Sequence, residues 1–359
     1  VNIRIANIAT FLILFFGVCV PRADALGDGC KQRFEDKRVR FIVPNSPGGG
    51  YDTYARMIAP YYAETTGTTI IVENHAGAGG LIGSNAIKNA KPDGTTMGII
   101  NAPGLMMAYL TEETNAPNPA EDYAVLARIV KSEQVWLTAG QSKITNMDDL
   151  WDTSSERPVV FGIRDVGSLS FLNTVIGSEL LGLPYRIVAG YPGSRESTMA
   201  AIRGEVDLVS HTFESILDHV ESGDLRPLLQ TSDQPISKTA VLTGVPVLGG
   251  GEGIAAKRAV RLGRDPERAV EDASALAALI GAGRLLVAPK GLDPDLAECM
   301  KTAVSETLAN SELRAAAAKA KRTLDVADSE ESLADLQQAI AGGRRFLPAV
   351  REAVKKLRE

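Results

Sequence analysis

Along this chain the hydrophobic positions repeat first every two residues and then about every 3.6, and the alternation gives the first outline of the fold. Val39-Arg40-Phe41-Ile42-Val43 is a short β-prone run that stops at Pro44. A glycine-rich loop from Asn45 to Tyr51 follows, after which Thr53–Thr65 sets Tyr54, Met57, Ile58 and Tyr61 at helical spacing, with Asp52 or Thr53 placed to cap it. Thr69–Glu73 reads as a second strand, Leu81–Asn89 as a second helix, and Thr96–Ile100 as a third strand running into Asn101-Ala102-Pro103-Gly104. Strands that alternate with helices predict an α/β class with parallel sheet.

The pattern resumes beyond Asn115–Pro119, a Pro- and Asn-containing stretch expected at the surface. Tyr123–Val130 and Val135–Ala139 are β-prone, Met147–Trp151 is a short helix, and Val159–Ile163 is a strand meeting Gly167-Ser168. Helix Leu169–Leu181, strand Arg186–Val188, loop Gly190–Ser194, helix Glu196–Arg203 and strand Val206–Ser210 complete a second α/β unit. The remainder is helix-rich: Glu267–Ile280, strand Arg284–Ala288, Pro294–Ala309, Glu312–Lys319, and a terminal helix Glu331–Leu357 interrupted near Gly342-Gly343. Charged positions on these helices form solvated faces.

Length and composition refine this outline. The 359 residues, 45% hydrophobic and 23% charged, exceed one ordinary domain and predict two. A formal charge of -6 with no basic stripe argues against a nucleic-acid partner. Arg4, the apolar stretch Ile8–Val20 and Ala23-Asp24-Ala25 read as a cleaved secretory signal peptide over residues 1–25, which implies export. The apolar run is short for a membrane span. Of Cys19, Cys30 and Cys299, two remain after cleavage in an oxidising compartment, where a disulfide and two unpaired thiols both fit the sequence. None has the C-x-x-C spacing of a metal or redox site, so no metal or cofactor is expected.

Candidate chemistry sits in the loops, since open parallel sheets bind ligands beyond the carboxyl ends of their strands. Pro44-Asn45-Ser46-Pro47-Gly48-Gly49-Gly50-Tyr51-Asp52 permits positive φ and close backbone approach, and the following helix N-terminus adds partial positive charge. That suits a carboxylate or phosphate, although a plain strand-to-helix turn uses the same residues. Asp52 beside such an anion is expected to cap the helix rather than touch ligand. A second cluster, Gly77-Ala78-Gly79-Gly80-Leu81-Ile82-Gly83, looks superficially like a dinucleotide fingerprint, but its third glycine comes one residue late and no acidic residue ends a following strand at the expected distance. Close helix-to-sheet packing is the simpler role. No serine lies in a G-x-S-x-G elbow, and His75, His211 and His219 form no triad, so no catalytic residue is assigned. His211 stands out as following a strand at the ligand-facing edge.

Taken together, Phe41-Ile42-Val43-Pro44 through Gly48-Gly49-Gly50-Tyr51-Asp52-Thr53 with Ala55-Arg56, Val72-Glu73-Asn74 with Gly77-Ala78-Gly79-Gly80 and Gly83, and Lys91-Pro92-Asp93-Gly94-Thr95-Thr96 resemble the substrate-binding receptors of the tripartite tricarboxylate transporter family, the Bug or TctC-like proteins. Weaker matches are Tyr191-Pro192-Gly193-Ser194, Gly204-Glu205-Val206-Asp207-Leu208 and Gly223-Asp224-Leu225-Arg226-Pro227-Leu228. The resemblance implies a type II periplasmic-binding-protein fold: two α/β domains with a ligand cleft between them, residues 26–127 plus 232–359 and residues 128–231, hinged near Ala127 and Thr231. It implies a ligand carboxylate held by Ser46, Pro47, Gly48 and Gly49 from one domain and Gly167, Ser168 and Ser170 from the other. Asn101 to Gly104 and Tyr191 to Gly193 would line the same cleft, with Asp207 near it.

Two departures stand out. Phe171-Leu172 replaces the His-Leu common in relatives, and Arg164, just before the serine loop, could pair with a second ligand carboxylate or lie on the surface. The segment Gly249–Gly283 is longer than the usual connection. The expectation is a monomeric, non-enzymatic periplasmic receptor that captures a small carboxylate and delivers it to the membrane permease subunits of a tripartite tricarboxylate transporter. A receptor for a signalling kinase and an exported enzyme are the alternatives.

Overall fold

The computed structural model describes residues 26–236 and 240–358. The expected signal peptide lies outside the described residues. The first unit comprises α1 (Asp28–Phe34), β1 (Arg38–Val43), α2 (Gly50–Thr66), β2 (Thr69–Asn74), α3 (Leu81–Lys88), β3 (Thr96–Asn101), α4 (Ala102–Leu110) and β4 (Tyr123–Val130). The second runs through β5 (Gln134–Ala139), α5 (Met147–Glu156), β6 (Val159–Gly162), α6 (Leu169–Leu181), β7 (Tyr185–Val188), α7 (Ser194–Ile202), β8 (Leu208–Thr212), α8 (Phe213–Glu221) and β9 (Leu225–Thr231). Helices α9 (Ile254–Arg261) and α10 (Pro266–Gly281) then lead to β10 (Arg284–Pro289). Four more helices follow: α11 (Pro294–Ala309), α12 (Ser311–Lys319), α13 (Ser329–Gly343) and α14 (Leu347–Arg358).

Two five-stranded sheets result, in the orders β2-β1-β3-β10-β4 and β7-β6-β8-β5-β9. Each has three parallel strands flanked by an antiparallel one, β10 or β5, which also pairs antiparallel with the last. The α/β reading is therefore correct. The chain passes between sheets at Lys131–Glu133 and leaves the second sheet after Thr231. Ala127 lies within β4, opposite Leu286 of β10, so the first crossing comes a few residues later than the sequence suggested.

Burial explains the layers. β10 is buried at every position, as expected of a strand inside a sheet covered on both faces. Ile42 and Ile100 of the first sheet belong to the same apolar cluster as Trp136 and Phe161 of the second, linked through Leu105, Val175 and Leu279 of α4, α6 and α10. Trp136 meets Phe161 edge-on at 5.0 Å. Gly177 lets α6 approach β5, since a methyl group there would stand 2.6 Å from the Trp136 ring. The terminal helix breaks at Arg344–Phe346, just beyond Gly342-Gly343 as the pattern suggested. Helices α1, α4, α8 and α9 and strand β9 are elements the hydrophobic pattern did not reveal. Cys30 on α1 and Cys299 on α11 form a disulfide.

Candidate ligand-binding cleft

The loop after β1 leads straight into α2, which begins at Gly50, three residues before the expected start, with Gly49 at its N-cap and no side chain capping it. Asp52 is thus the third residue of the helix and not its cap. Its buried carboxylate accepts from the Gly48 amide at 2.8 Å, from Arg56 Nε at 2.9 Å and from Asn74 Nδ2 at 2.9 Å. Burial would raise its pKa, but these hydrogen bonds and the Arg56 charge together hold it below the usual carboxylate value. Asn74 also donates to the Asn45 carbonyl, bracing the loop from β2.

This arrangement shifts the expected cradle. Gly48, at φ 78°, gives its amide to Asp52, Pro47 has none, and the Gly49 amide points at the Ser46 carbonyl at 3.4 Å. The amides left without an acceptor among the described residues of this turn are those of Gly50, Tyr51 and Asp52. Ser46, Pro47, Gly48 and Gly49 remain exposed at the rim.

In the second unit Asp165 organises the corresponding loop. It accepts from the Gly167 amide at 2.9 Å and from Arg164 Nε at 2.6 Å. Arg164 therefore carries its own counter-charge, in contrast to the free cation the sequence allowed. Ser168 caps α6, accepting from the Phe171 amide at 3.3 Å while donating to the Asp165 carbonyl at 2.6 Å, and its Oγ lies 2.9 Å from that of Ser170. Phe171 and Leu172 are buried in the core rather than turned to a ligand.

The loops of the two units meet. A methyl group on Gly104 would stand 2.9 Å from the Gly167 carbonyl oxygen and would clash with the Asn101 side-chain amide. Gly79 approaches Gly167 as well, a methyl on it lying 4.0 Å from the Gly167 Cα. Asn101 caps α4, its Oδ1 facing the Gly104 amide at 3.4 Å. The second glycine cluster therefore serves packing and contact: on Gly83 a methyl would meet the Pro44 Cα at 2.5 Å and the His75 carbonyl at 2.8 Å.

Other predicted residues lie elsewhere. Asp207 is held by Arg157 at 2.6 and 2.8 Å and accepts the Val160 amide at 2.8 Å. That is the start of β6 and β8, the opposite end of the sheet from the Gly167 loop, so Asp207 is a structural ion pair and not a cleft residue. Tyr191 packs its ring on Gly162, and its hydroxyl pKa is raised by burial and by Glu205. Gly193 is the N-cap of α7. His211 is buried at the end of β8 with Nε2 3.3 Å from Ser197 Oγ, and burial, aided by His219, pushes its pKa down to about 4. A groove of ≈ 1310 Å³ runs along the crossing segments, lined by Lys131, Glu133, Asp233, Ser274 and Arg322 among others, and none of the predicted site residues borders it.

One residue escaped the sequence reading. Arg284 opens β10 directly opposite Asn101 and Val130, at the cleft edge of the first sheet. Its guanidinium carbon lies 4.8 Å from the Tyr51 ring and 4.9 Å from the Tyr54 ring. The available signal was a lone arginine heading the otherwise apolar run Leu285-Leu286-Val287-Ala288.

The sequence profile of the tripartite tricarboxylate transporter family receptors matches residues 54–261. The chain belongs to this family. BugT of Bordetella pertussis is 25% identical over 353 residues, covering 97% of this chain and 99% of its own. Among solved structures, the periplasmic binding protein BugD superposes with a TM-score of 0.67 at 20% identity, covering 87% of this chain and 97% of its own. MatC from Rhodopseudomonas palustris with bound malate superposes at 0.65 and 20% identity, covering 88% and 100%. The family and the fold are those of periplasmic solute-binding receptors. The TctC profile begins inside α2, so the glycine loop itself precedes the matched span, whereas the BugT alignment extends over nearly the whole chain.

Proposed function

We propose that this TctC-type receptor captures a small organic carboxylate between the loop preceding α2 and the loop preceding α6, without transforming it, and delivers it to the permease of a tripartite tricarboxylate transporter. The observation that carries the reading is the meeting of Gly167 with Gly104 and Gly79, which brings the carboxyl ends of the parallel strands of the two sheets and the first turns of their helices face to face. Oriented amides at helix N-termini replace an anion's hydration without reorganising. Domains 26–127 plus 232–359 and 128–231, apart from the shift of the first crossing to Lys131–Glu133, would close on the ligand as rigid units, and the closed state gains only what ligand adds to it. Malate in MatC supports the ligand class by analogy.

The test is native mass spectrometry of protein purified without refolding, followed by thermal-shift titration with malate, succinate, adipate and citrate. A bound acid should raise the melting temperature with concentration as RT ln(1 + [L]/Kd) and be recovered unchanged. Turnover of the acid, or stabilisation only by neutral solutes, would overturn the reading. Deletion of the gene should abolish uptake of the same acid; loss of induction with uptake intact would indicate a sensor.

A further inference from the structure

The starting point is a charge without a counter-charge. Arg284 is only 8% exposed, yet no acidic side chain among the described residues pairs with it and its Nε has no hydrogen-bond acceptor. The nearest carboxylate in sequence to the adjoining loop, Asp52, is saturated by Gly48, Arg56 and Asn74. Buried guanidinium groups are ordinarily paired, because an uncompensated charge loses its hydration without replacement.

Its surroundings add to the deficit. A methyl group on Gly50 would stand 3.4 Å from Arg284 Nη2, so the guanidinium lies against the first turn of α2, where the helix dipole presents positive charge and the Gly50 and Tyr51 amides lack acceptors. Cation and helix terminus repel each other unless an anion sits between them. The Tyr51 and Tyr54 rings lie 4.8 and 4.9 Å from the guanidinium carbon and the Tyr51 hydroxyl shares a hydrogen bond with Arg284, so the fork is held in place by neutral groups that leave its charge uncompensated. The position, opposite Asn101, is the edge of the first sheet at which Gly104 meets Gly167 of the other unit.

We infer that Arg284 is the charged anchor of the ligand cleft: its guanidinium and the free amides of the first turn of α2 together hold one ionised group of the ligand. This inference rests on the receptor reading above and deepens it. A site built only from backbone amides at a helix N-terminus favours a carboxylate over a neutral carbonyl group by only about 0.3–1 kcal/mol. A buried guanidinium rejects the neutral isostere, since the cation is then left unpaired. The ligand is accordingly an acid with an ionised group seated on the first domain, and the Arg164–Asp165 pair across the cleft, being neutral, does not compete for that group.

The experiment uses the full chain with Arg284→Lys and Arg284→Gln, probed by malate, succinate, adipate and citrate and by malamide as a neutral isostere. An acid that stabilises the wild type should bind Arg284→Gln about 10- to 100-fold more weakly, with partial recovery in Arg284→Lys, and malamide should fail to stabilise the wild type and Arg284→Lys, which keep the cation. Binding of that acid to Arg284→Gln within about 3-fold of wild type would overturn the anchor while leaving the receptor reading intact. If no acid stabilises the wild type, the carboxylate reading fails, and ligand-free urea unfolding decides Arg284 separately. Both variants lose the fork and its stacking, and only lysine keeps the charge, so an uncompensated cation predicts a midpoint for Arg284→Gln at or above that of Arg284→Lys. The reverse order would show the charge to be satisfied within the protein and would refute the anchor.

Discussion

Replacing Gly104 by alanine tests the contact between the two halves of the cleft. The new methyl group would stand 2.9 Å from the Gly167 carbonyl oxygen, tighter than an ordinary contact, and would collide with the Asn101 side-chain amide. Asn101 can turn away at the expense of the α4 cap, about 1 kcal/mol, in the open and closed forms alike. The Gly167 carbonyl is backbone and can be relieved only by moving the loop that Asp165 and Ser168 hold together. Overpacking of this kind costs roughly 1–3 kcal/mol. Because the Gly167 contact exists only when the loops meet, about 1–2 kcal/mol of it should appear as weaker ligand binding, on the order of 5- to 30-fold. Titration calorimetry with a stabilising acid measures the affinity, and small-angle scattering measures whether the liganded protein becomes less compact. Asn101→Ala/Gly104→Ala supplies the control, since it removes the Asn101 collision and keeps the one with Gly167. Wild-type affinity and scattering in Gly104→Ala would refute the reasoning, and full recovery in the double variant would move the effect to the cap.

Three further outcomes follow from the same geometry. The Cys30–Cys299 disulfide spans a sequence separation of 269 residues; loop-closure entropy puts its contribution at roughly 5–6 kcal/mol as an upper estimate, so reduction should lower the urea midpoint by up to about 2 M at an m-value near 3 kcal/mol per M. An unchanged midpoint in dithiothreitol contradicts this. Asp52→Ala strands the Gly48 amide, Arg56 and Asn74 and should destabilise the protein by about 2–3 kcal/mol at pH 7. Because the native pKa of Asp52 is depressed, its contribution is complete above the unfolded value near 4 and is lost as pH falls through the native value, so the variant should show a shallower acid limb in unfolding experiments. His211 has the same sense in a higher window: the unfolded imidazole protonates near 6.5 and the buried one at about 4, so stability is full above pH 6.5 and falls by about 3 kcal/mol on the way to pH 4. His211→Gln should flatten that slope, and an unaltered slope would assign it to other groups.

Periodicity located most strands and the loops between them because β1, β3, β6 and β8 are apolar runs bounded by glycine or polar residues, and the ligand loops lie at their ends. It missed α9, whose buried face consists of Ala255 and Ala259 between charged residues, too little apolar surface to register as a stripe. It misassigned Asp52 because its capping-type contacts are made from inside the first turn, and a one-dimensional reading cannot see Asn74 arriving from β2. Asp207 was drawn to the cleft by motif alone, whereas its partner Arg157 lies 50 residues away in sequence at the other end of the sheet. Arg284 was invisible for a general reason: pattern reading treats a charged residue as solvated, and only the stacked tyrosines and the missing counter-ion reveal it as buried.

The extended segment Gly249–Gly283 ties these observations together. Its helix α9 and the following turn grip the far end of α6, with Arg258 Nε donating to the Leu181 carbonyl and Arg264 Nη1 to the Glu179 carbonyl, each at 3.0 Å. Arg258 and Arg261 also lie over the Trp151 ring of α5 at 4.7 and 5.4 Å. α10 then crosses to the first sheet and ends at Gly281, three residues before Arg284 enters β10. One continuous stretch therefore holds the helix whose opposite end carries Ser168 and delivers the guanidinium at the first turn of α2. Under the receptor reading, opening of the cleft separates the two ends of that stretch and must shear the packing of α10 on α6 as well as bend Lys131–Glu133. Packed helices resist such sliding more than a bare two-strand hinge does. The added helices thus favour an Arg284 already aligned with the second-domain loop before ligand arrives, and a preformed site of this kind loses less freedom on binding.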